Sequence, residues 1–187
     1  MAFKDNFTKF QELETTDYLL RQVDIENDVE DYLKIYSDDE LMKYYVGGTV
    51  TSDRNRVVLI LKNQIKEFKK ARVYSWTITC KKSEIALGRI HLSNFESDNK
   101  VANIGYFIRR ESWGKGVVSS CILPVVEFGF SILKLERIYT TVHPDNIGSW
   151  KALEKNGFIR EGLLRHCFNL NSGLTDCYMY SKLSSDQ

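Results

Sequence analysis

Residues Ile104 to Ser120 constrain this chain more than any other stretch. They read as a short alternating strand, then a turn over Trp113-Gly114-Lys115-Gly116, then an apolar helix. A helix opened by glycines leaves several backbone N–H groups without intrahelical partners. With the positive end of the helix dipole, those donors suit a phosphate or pyrophosphate. One such contact is worth about 0.3–1 kcal/mol when exposed and up to about 2 when partly buried. A diphosphate held by several donors therefore needs no lysine cluster, although Lys115 adds a point charge. A P-loop is excluded, because Gly-x-x-x-x-Gly-Lys-Ser/Thr is absent and Lys115 is followed by Gly116.

The rest of the pattern surrounds this unit with helices and strands. Asp17 to Val23 reads as a first strand. Asp24 caps a helix through about Tyr36, with Glu26 and Asp28 in its first turn. A short helix follows over Asp39 to Tyr44. Asp53 caps a longer one, whose Val57, Val58, Leu61, Ile65 and Phe68 form one apolar stripe. The period then switches to two. Tyr74, Trp76, Ile78 and Cys80 alternate with Ser75, Thr77 and Thr79, which predicts a half-buried strand. After the turn Lys81-Lys82-Ser83 come a strand over Ile85 to Leu92, a polar loop over Ser93 to Lys100 and a strand over Val101 to Arg109. Short connections make these neighbours antiparallel.

The helix after Gly116 carries Val118, Cys121, Ile122, Val125, Gly129 and Ile132 on one stripe, and Pro124 inside it predicts a kink. Arg137 to His143 is a strand, and strand–helix–strand implies a parallel crossover. Asp145 or Asn146 caps a helix that ends at Gly157, a residue suited to a left-handed terminus. Strands over Leu163 to Leu170 and Thr175 to Leu183 flank the hairpin signal Asn171-Ser172-Gly173. The fold class is α/β with a mixed, mostly antiparallel sheet and one parallel pair. Repeats and linkers are absent, so residues 1–187 read as one domain with a mobile arm at 1–16.

Lys+Arg is 26 against Asp+Glu 25, which argues against a protein built to coat nucleic acid. No apolar run reaches membrane-spanning length, and Met1-Ala2-Phe3-Lys4-Asp5-Asn6 lacks a signal-peptide core, so a cytoplasmic location is expected. Cys80, Cys121, Cys167 and Cys177 form no CxxC pair and, with three scattered histidines, no metal-ligand spacing. They read as reduced thiols. Cys167 and Cys177 are expected near each other across the hairpin, and sequence alone shows no bond.

Four pieces occur in register: Gly105-Tyr106; Trp113-Gly114-Lys115-Gly116-Val117-Val118; Asn146-x-x-Ser149; and Asn156-Gly157-Phe158-x-x-Glu161-Gly162. Their order and spacing resemble the GNAT superfamily of acyl-CoA N-acyltransferases, within it the RimJ/RimL branch of N-terminal protein acetyltransferases. Leu13-Glu14-Thr15-Thr16, Leu19-Leu20-Arg21 and Tyr36-Ser37-Asp38 look similar to that branch too. The resemblance implies a GNAT-like sheet, flanked by helices and splayed at its parallel pair, with the pantetheine arm of acetyl-CoA in the opening. It places the pyrophosphate at Trp113, Gly114, Lys115, Gly116, Val117, Val118 and Ser119. The family signature is Gln/Arg-x-x-Gly-x-Gly/Ala. Here Trp113 stands at its first position, Gly116 is retained, and Val118 replaces the last small residue.

By the same resemblance, backbone groups of Phe107, Ile108 and Arg109 run along the pantetheine, where an N–H would stabilise the tetrahedral oxyanion. Their plainer role is ladder pairing. Asn146 is a helix cap, a pantetheine contact, or both. Ser149 is first-turn surface or, as the RimL-like branch implies, the donor to the departing thiolate. The general base stays unassigned. The carboxylate that RimL-like proteins carry falls at Phe168, and Glu161, His91, Glu40, Asp176 or a water chain remain. The implied reaction is direct acetyl transfer in a ternary complex to a primary amine. A peptide or protein N-terminus leads. A small-molecule amine and a non-catalytic CoA-binding module are the alternatives. No metal, membrane or direct nucleic-acid partner is expected, and a homodimer is left open.

Overall fold

The computed structural model describes residues 3–45, 50–170 and 173–186. Eight strands form one sheet: β1 (Leu13–Glu14), β2 (Tyr18–Arg21), β3 (Val73–Cys80), β4 (Ala86–Glu96), β5 (Val101–Ile108), β6 (Arg137–Val142), β7 (Ile159–Leu170) and β8 (Gly173–Leu183). Their order is β1-β2-β3-β4-β5-β6-β8-β7. Every described pairing is antiparallel except β5 with β6. Five α-helices connect them: α1 (Ile25–Tyr36), α2 (Asp39–Met42), α3 (Arg54–Lys69), α4 (Val117–Ser131) and α5 (Ile147–Lys155).

Local chemistry sets the helix starts. Asp24, Asp38 and Asp53 each accept two backbone N–H bonds at the first turns of α1, α2 and α3. Asn146 does the same for α5 with a bond from the Ser149 N–H. Gly157, at φ +77°, takes the left-handed position after α5. α4 continues through Pro124 as one helix.

The sheet is covered on both faces. Ile90, Leu92, Ala102, Ile104 and Ile138 pack with Cys121, Ile122 and Val125 of α4. On the other face Phe107 packs with Tyr32 and Ile35 of α1 and with Val57 and Leu61 of α3. This double cover corrects the half-buried reading of β3. Ser75, Thr77 and Thr79 are buried as well, and their hydroxyls are bonded rather than solvated. Thr77 Oγ1 lies 3.0 Å from Tyr32 Oη, Ser75 Oγ donates to Gln64 Oε1 at 3.2 Å, and Thr79 Oγ1 donates to the Leu19 carbonyl at 3.0 Å.

Other boundaries move too. The expected first strand shortens to β2, and β1 precedes it as a strand not expected from sequence. β4 runs on to Glu96, into the expected loop, and β7 starts at Ile159. Asn171 and Ser172 of the hairpin signal lie outside the described residues. Residues 3–14, expected as an arm, are seated on the sheet. Phe7 is buried among Phe3, Phe68, Tyr74 and Phe95. The Trp76 indole N–H donates to the Gln11 carbonyl at 2.9 Å. The structure also joins Cys167 of β7 to Cys177 of β8 as a disulfide, in place of the reduced pair expected.

Candidate active site

β5 and β6 pair only from Val101 to Asn103 against Arg137 to Tyr139. Beyond that point β5 continues to Ile108 and β6 to Val142 without pairing, which opens the middle of the sheet. Ladder alternation decides which backbone groups line the opening. The Arg109 N–H donates to the Leu87 carbonyl at 2.7 Å, so Phe107 and Gly105, two and four residues back, also bond toward β4. The intervening Tyr106 and Ile108 turn their backbone groups to the side that β6 has vacated. The Ile108 carbonyl is already taken, accepting from the Trp113 indole N–H at 3.0 Å.

The chain leaves β5 through a short 3-10 turn, Arg110–Ser112, and reaches the glycines. Gly114 and Gly116 lie at φ +70° and +76°, a region that side chains strain to enter. A Cβ at either position would meet nothing within 4 Å, so the turn borders open space. Gly116 caps α4 without any side-chain bond, and Ser120 is the first residue to bond back, to the Gly116 carbonyl at 2.9 Å. The N–H groups of Val117, Val118 and Ser119 precede it at the helix start, where no intrahelical acceptor exists.

The opposite wall is the start of α5. Asn146 Oδ1 accepts from the Ser149 N–H at 3.3 Å. Ser149 Oγ lies 2.9 Å from the Tyr106 hydroxyl, which also lies 3.2 Å from the Ser149 carbonyl. A cavity of about 590 Å³ runs between the two walls. At one end it meets Glu40, Leu41, Tyr44 and Tyr45. Tyr44 is stacked 5.0 Å from His143, and the Tyr45 ring stands edge-on to Phe107 at 4.9 Å.

A family model describing an acetyltransferase (GNAT) domain matches residues 17–159. The chain belongs to the GNAT acetyltransferases. The uncharacterized N-acetyltransferase YoaA of Bacillus subtilis (strain 168) is 32% identical over 172 residues, covering 92% of this chain and 96% of that protein. The ribosomal-protein-serine acetyltransferase of Escherichia coli (strain K12) is 28% identical over 106 residues, 57% of this chain and 59% of that one. The fold is shared with the Microcin C7 self immunity acetyltransferase MccE, solved with acetyl-CoA and AMP. That likeness has a TM-score of 0.81 at 21% identity, over 90% of this chain and 93% of the other. The protein is thus an acetyl-CoA-dependent N-acetyltransferase.

In this acetyltransferase the cavity brings together Phe107, Ile108, Trp113, Gly114, Gly116, Val117, Val118, Ser119, Asn146 and Ser149. Two sequence-derived candidates stand apart. Lys115 is exposed beside the turn and does not line the cavity. Arg109 turns its guanidinium to Asp31 and Glu111, at 3.8 and 3.4 Å, while its N–H serves the ladder. Among the lining residues not assigned to the site from sequence are Tyr106, Asp145, Lys151 and Leu41. Tyr106 had a signal, since Gly105-Tyr106 precedes the turn. The others arrive through tertiary contact alone.

The base candidates separate clearly. Glu161 is held by Arg137 through both carboxylate oxygens, at 2.6 and 2.5 Å, and by Ser181 at 2.7 Å. The Arg137 bonds, with the Ser181 bond, bring its pKa down to about 2, so it is a poor proton acceptor. Asp176 accepts from the His166 N–H at 2.9 Å and holds a bulge in β7. His91 lies across from Gly105, where an added Cβ would sit 2.6 Å from its ring, on the sheet face that carries Phe107. Burial, with nearby Arg89, holds its pKa well below the usual value. Only Glu40 of the four lines the cavity.

Proposed function

We propose that this enzyme moves the acetyl group of acetyl-CoA directly onto a primary amine, chiefly a protein N-terminal α-amine. The observation that carries the reading is the single cavity joining the unpaired N–H groups of α4, the opening beside β5 and the Ser149 hydroxyl. The N–H groups of Val117, Val118 and Ser119 hold the pyrophosphate, and the turn around Lys115 contributes positive charge. The backbone of Tyr106 and Ile108 borders the pantetheine, with Asn146 opposite. Of the expected strand-edge groups, those of Phe107 and Arg109 stay in the ladder.

The neutral amine attacks the thioester carbonyl carbon, and the carbon–sulfur bond breaks. Ser149 donates a hydrogen bond to the leaving thiolate and keeps its proton. The amine proton leaves through water at the mouth, where Glu40 and Asp145 are the lining carboxylates. Those acids also favour a cationic amine, which every protein N-terminus supplies near neutral pH. The name of the Escherichia coli relative, a ribosomal-protein-serine acetyltransferase, supports a protein acceptor. The reading places the enzyme in the cytoplasm, since it consumes acetyl-CoA there.

Calorimetric titration with acetyl-CoA, with ATP as control, tests the donor site. Micromolar binding without an ATP response supports it. An acceptor panel then compares peptides of defined N-termini with polyamines, amino acids and aminoglycosides, each product confirmed by mass. Acetylation of small amines with no peptide response overturns the peptide assignment.

A further inference from the structure

Ser149 is held from two sides. Its N–H is bound by Asn146 Oδ1, and its Oγ sits 2.9 Å from the Tyr106 hydroxyl, on the other wall of the cavity. Each hydroxyl has one proton to give and two lone pairs to accept with. Two arrangements satisfy the pair. In one, Ser149 donates to Tyr106, and Tyr106 turns its proton toward the Ser149 carbonyl at 3.2 Å, long for an O–H···O bond. In the other, Tyr106 donates to Ser149 Oγ, and the serine proton is free for a third group. A negative charge arriving beside Ser149 selects the second arrangement, because hydrogen bonds to ions are the stronger ones and chained bonds polarise one another.

We propose that Tyr106 is a positioning residue for acetyl transfer: its hydroxyl donates to Ser149 Oγ and thereby turns the single Ser149 proton toward the departing thiolate. The inference rests on the reading of Ser149 as the thiolate donor. Tyr106 keeps its own proton throughout. Burial raises its pKa far above the usual phenol value, so no tyrosinate forms to pass a proton onward. Its contribution is direction, and it touches sulfur only through Ser149.

The test is a double-mutant cycle on the full chain with Tyr106→Phe and Ser149→Ala. Rates are read as CoA thiol release from acetyl-CoA with a pool of Ser-, Ala-, Thr- and Met-starting peptides. Tyr106→Phe is expected to lower kcat by roughly 3- to 10-fold, the range of one lost hydrogen bond, with calorimetric acetyl-CoA affinity unchanged. In the Ser149→Ala background the same change is expected to do nothing further. Multiplicative effects, or weaker acetyl-CoA binding at unchanged kcat, would overturn the relay and leave Tyr106 as a strut between β5 and α5. An unaffected Ser149→Ala would instead overturn the thiolate-donor reading and this inference with it. If Tyr106→Phe fails to fold, 3-fluorotyrosine at position 106 carries the test, since it alters donor strength at nearly constant shape. A kcat change that persists in Ser149→Ala overturns the relay, and one confined to the Ser149 enzyme supports it.

Discussion

At the scale of single residues, the site depends on backbone conformation as much as on side chains. Gly116 is left-handed at φ +76° and borders open space. Gly116→Glu therefore strains the turn and sets a carboxylate against the phosphate position. Acetyl-CoA affinity should fall by more than about tenfold, which corresponds to about 1.4 kcal/mol and is within reach of one lost anion contact. Unchanged affinity by calorimetry would show that the turn does not hold the pyrophosphate. Glu161 makes a different prediction. Its folded pKa of about 2 lies below the ordinary 4.5, so its pairing with Arg137 stabilises the fold above about pH 4.5. That contribution is lost as pH falls from there toward 2. The Tm gap between the wild type and Glu161→Gln should hold steady from pH 8 to 5 and close on acidification, with kcat the same in both. A gap that stays constant to pH 3 would show that the charge is not what matters.

At the scale of elements, caps and apolar stripes explain where helices start and which face they bury. The Asp53 carboxylate accepts from the N–H groups of Asn55 and Arg56, at 2.8 and 3.4 Å, at the head of α3. Asp53→Ala should cost about 1 kcal/mol in urea unfolding, the usual value for a lost cap. Strands were read less well than helices, for a physical reason. Period two reports two faces of unequal polarity, and in β3 the polar face is covered by α1 and α3. There Thr77 and Ser75 find partners in Tyr32 and Gln64 that lie far off in the chain. A Ser/Thr face looks the same in sequence whether water or another helix satisfies it.

At the scale of the whole molecule, the N-terminal segment completes the core. Phe7 is 6% exposed and packs against Phe68 of α3 and Tyr74 of β3. Phe7→Ala should therefore destabilise the protein by about 3–5 kcal/mol in chemical denaturation, as for a buried aromatic rather than a residue in a loose tail. A loss below about 1 kcal/mol would show that the segment contributes little to the core. The site likewise belongs to the whole. Its two walls are β5 with the turn and the start of α5, and its mouth is α2 with the residues after it.

The strand–turn–helix unit, the helix caps and the order of elements were legible because each is written in nearby residues, as a period, a cap or a glycine. From these and the four matching motifs came the GNAT resemblance and ten of the residues that line the cavity. Tertiary structure alone decided the rest. It chose which strand-edge groups face the opening, since ladder parity depends on the partner strand. It gave the Ile108 carbonyl to Trp113, tied Glu161 to Arg137, and set the Tyr106 hydroxyl against Ser149. Those contacts join residues whose separation along the chain carries no period, so a linear pattern has no means of recording them.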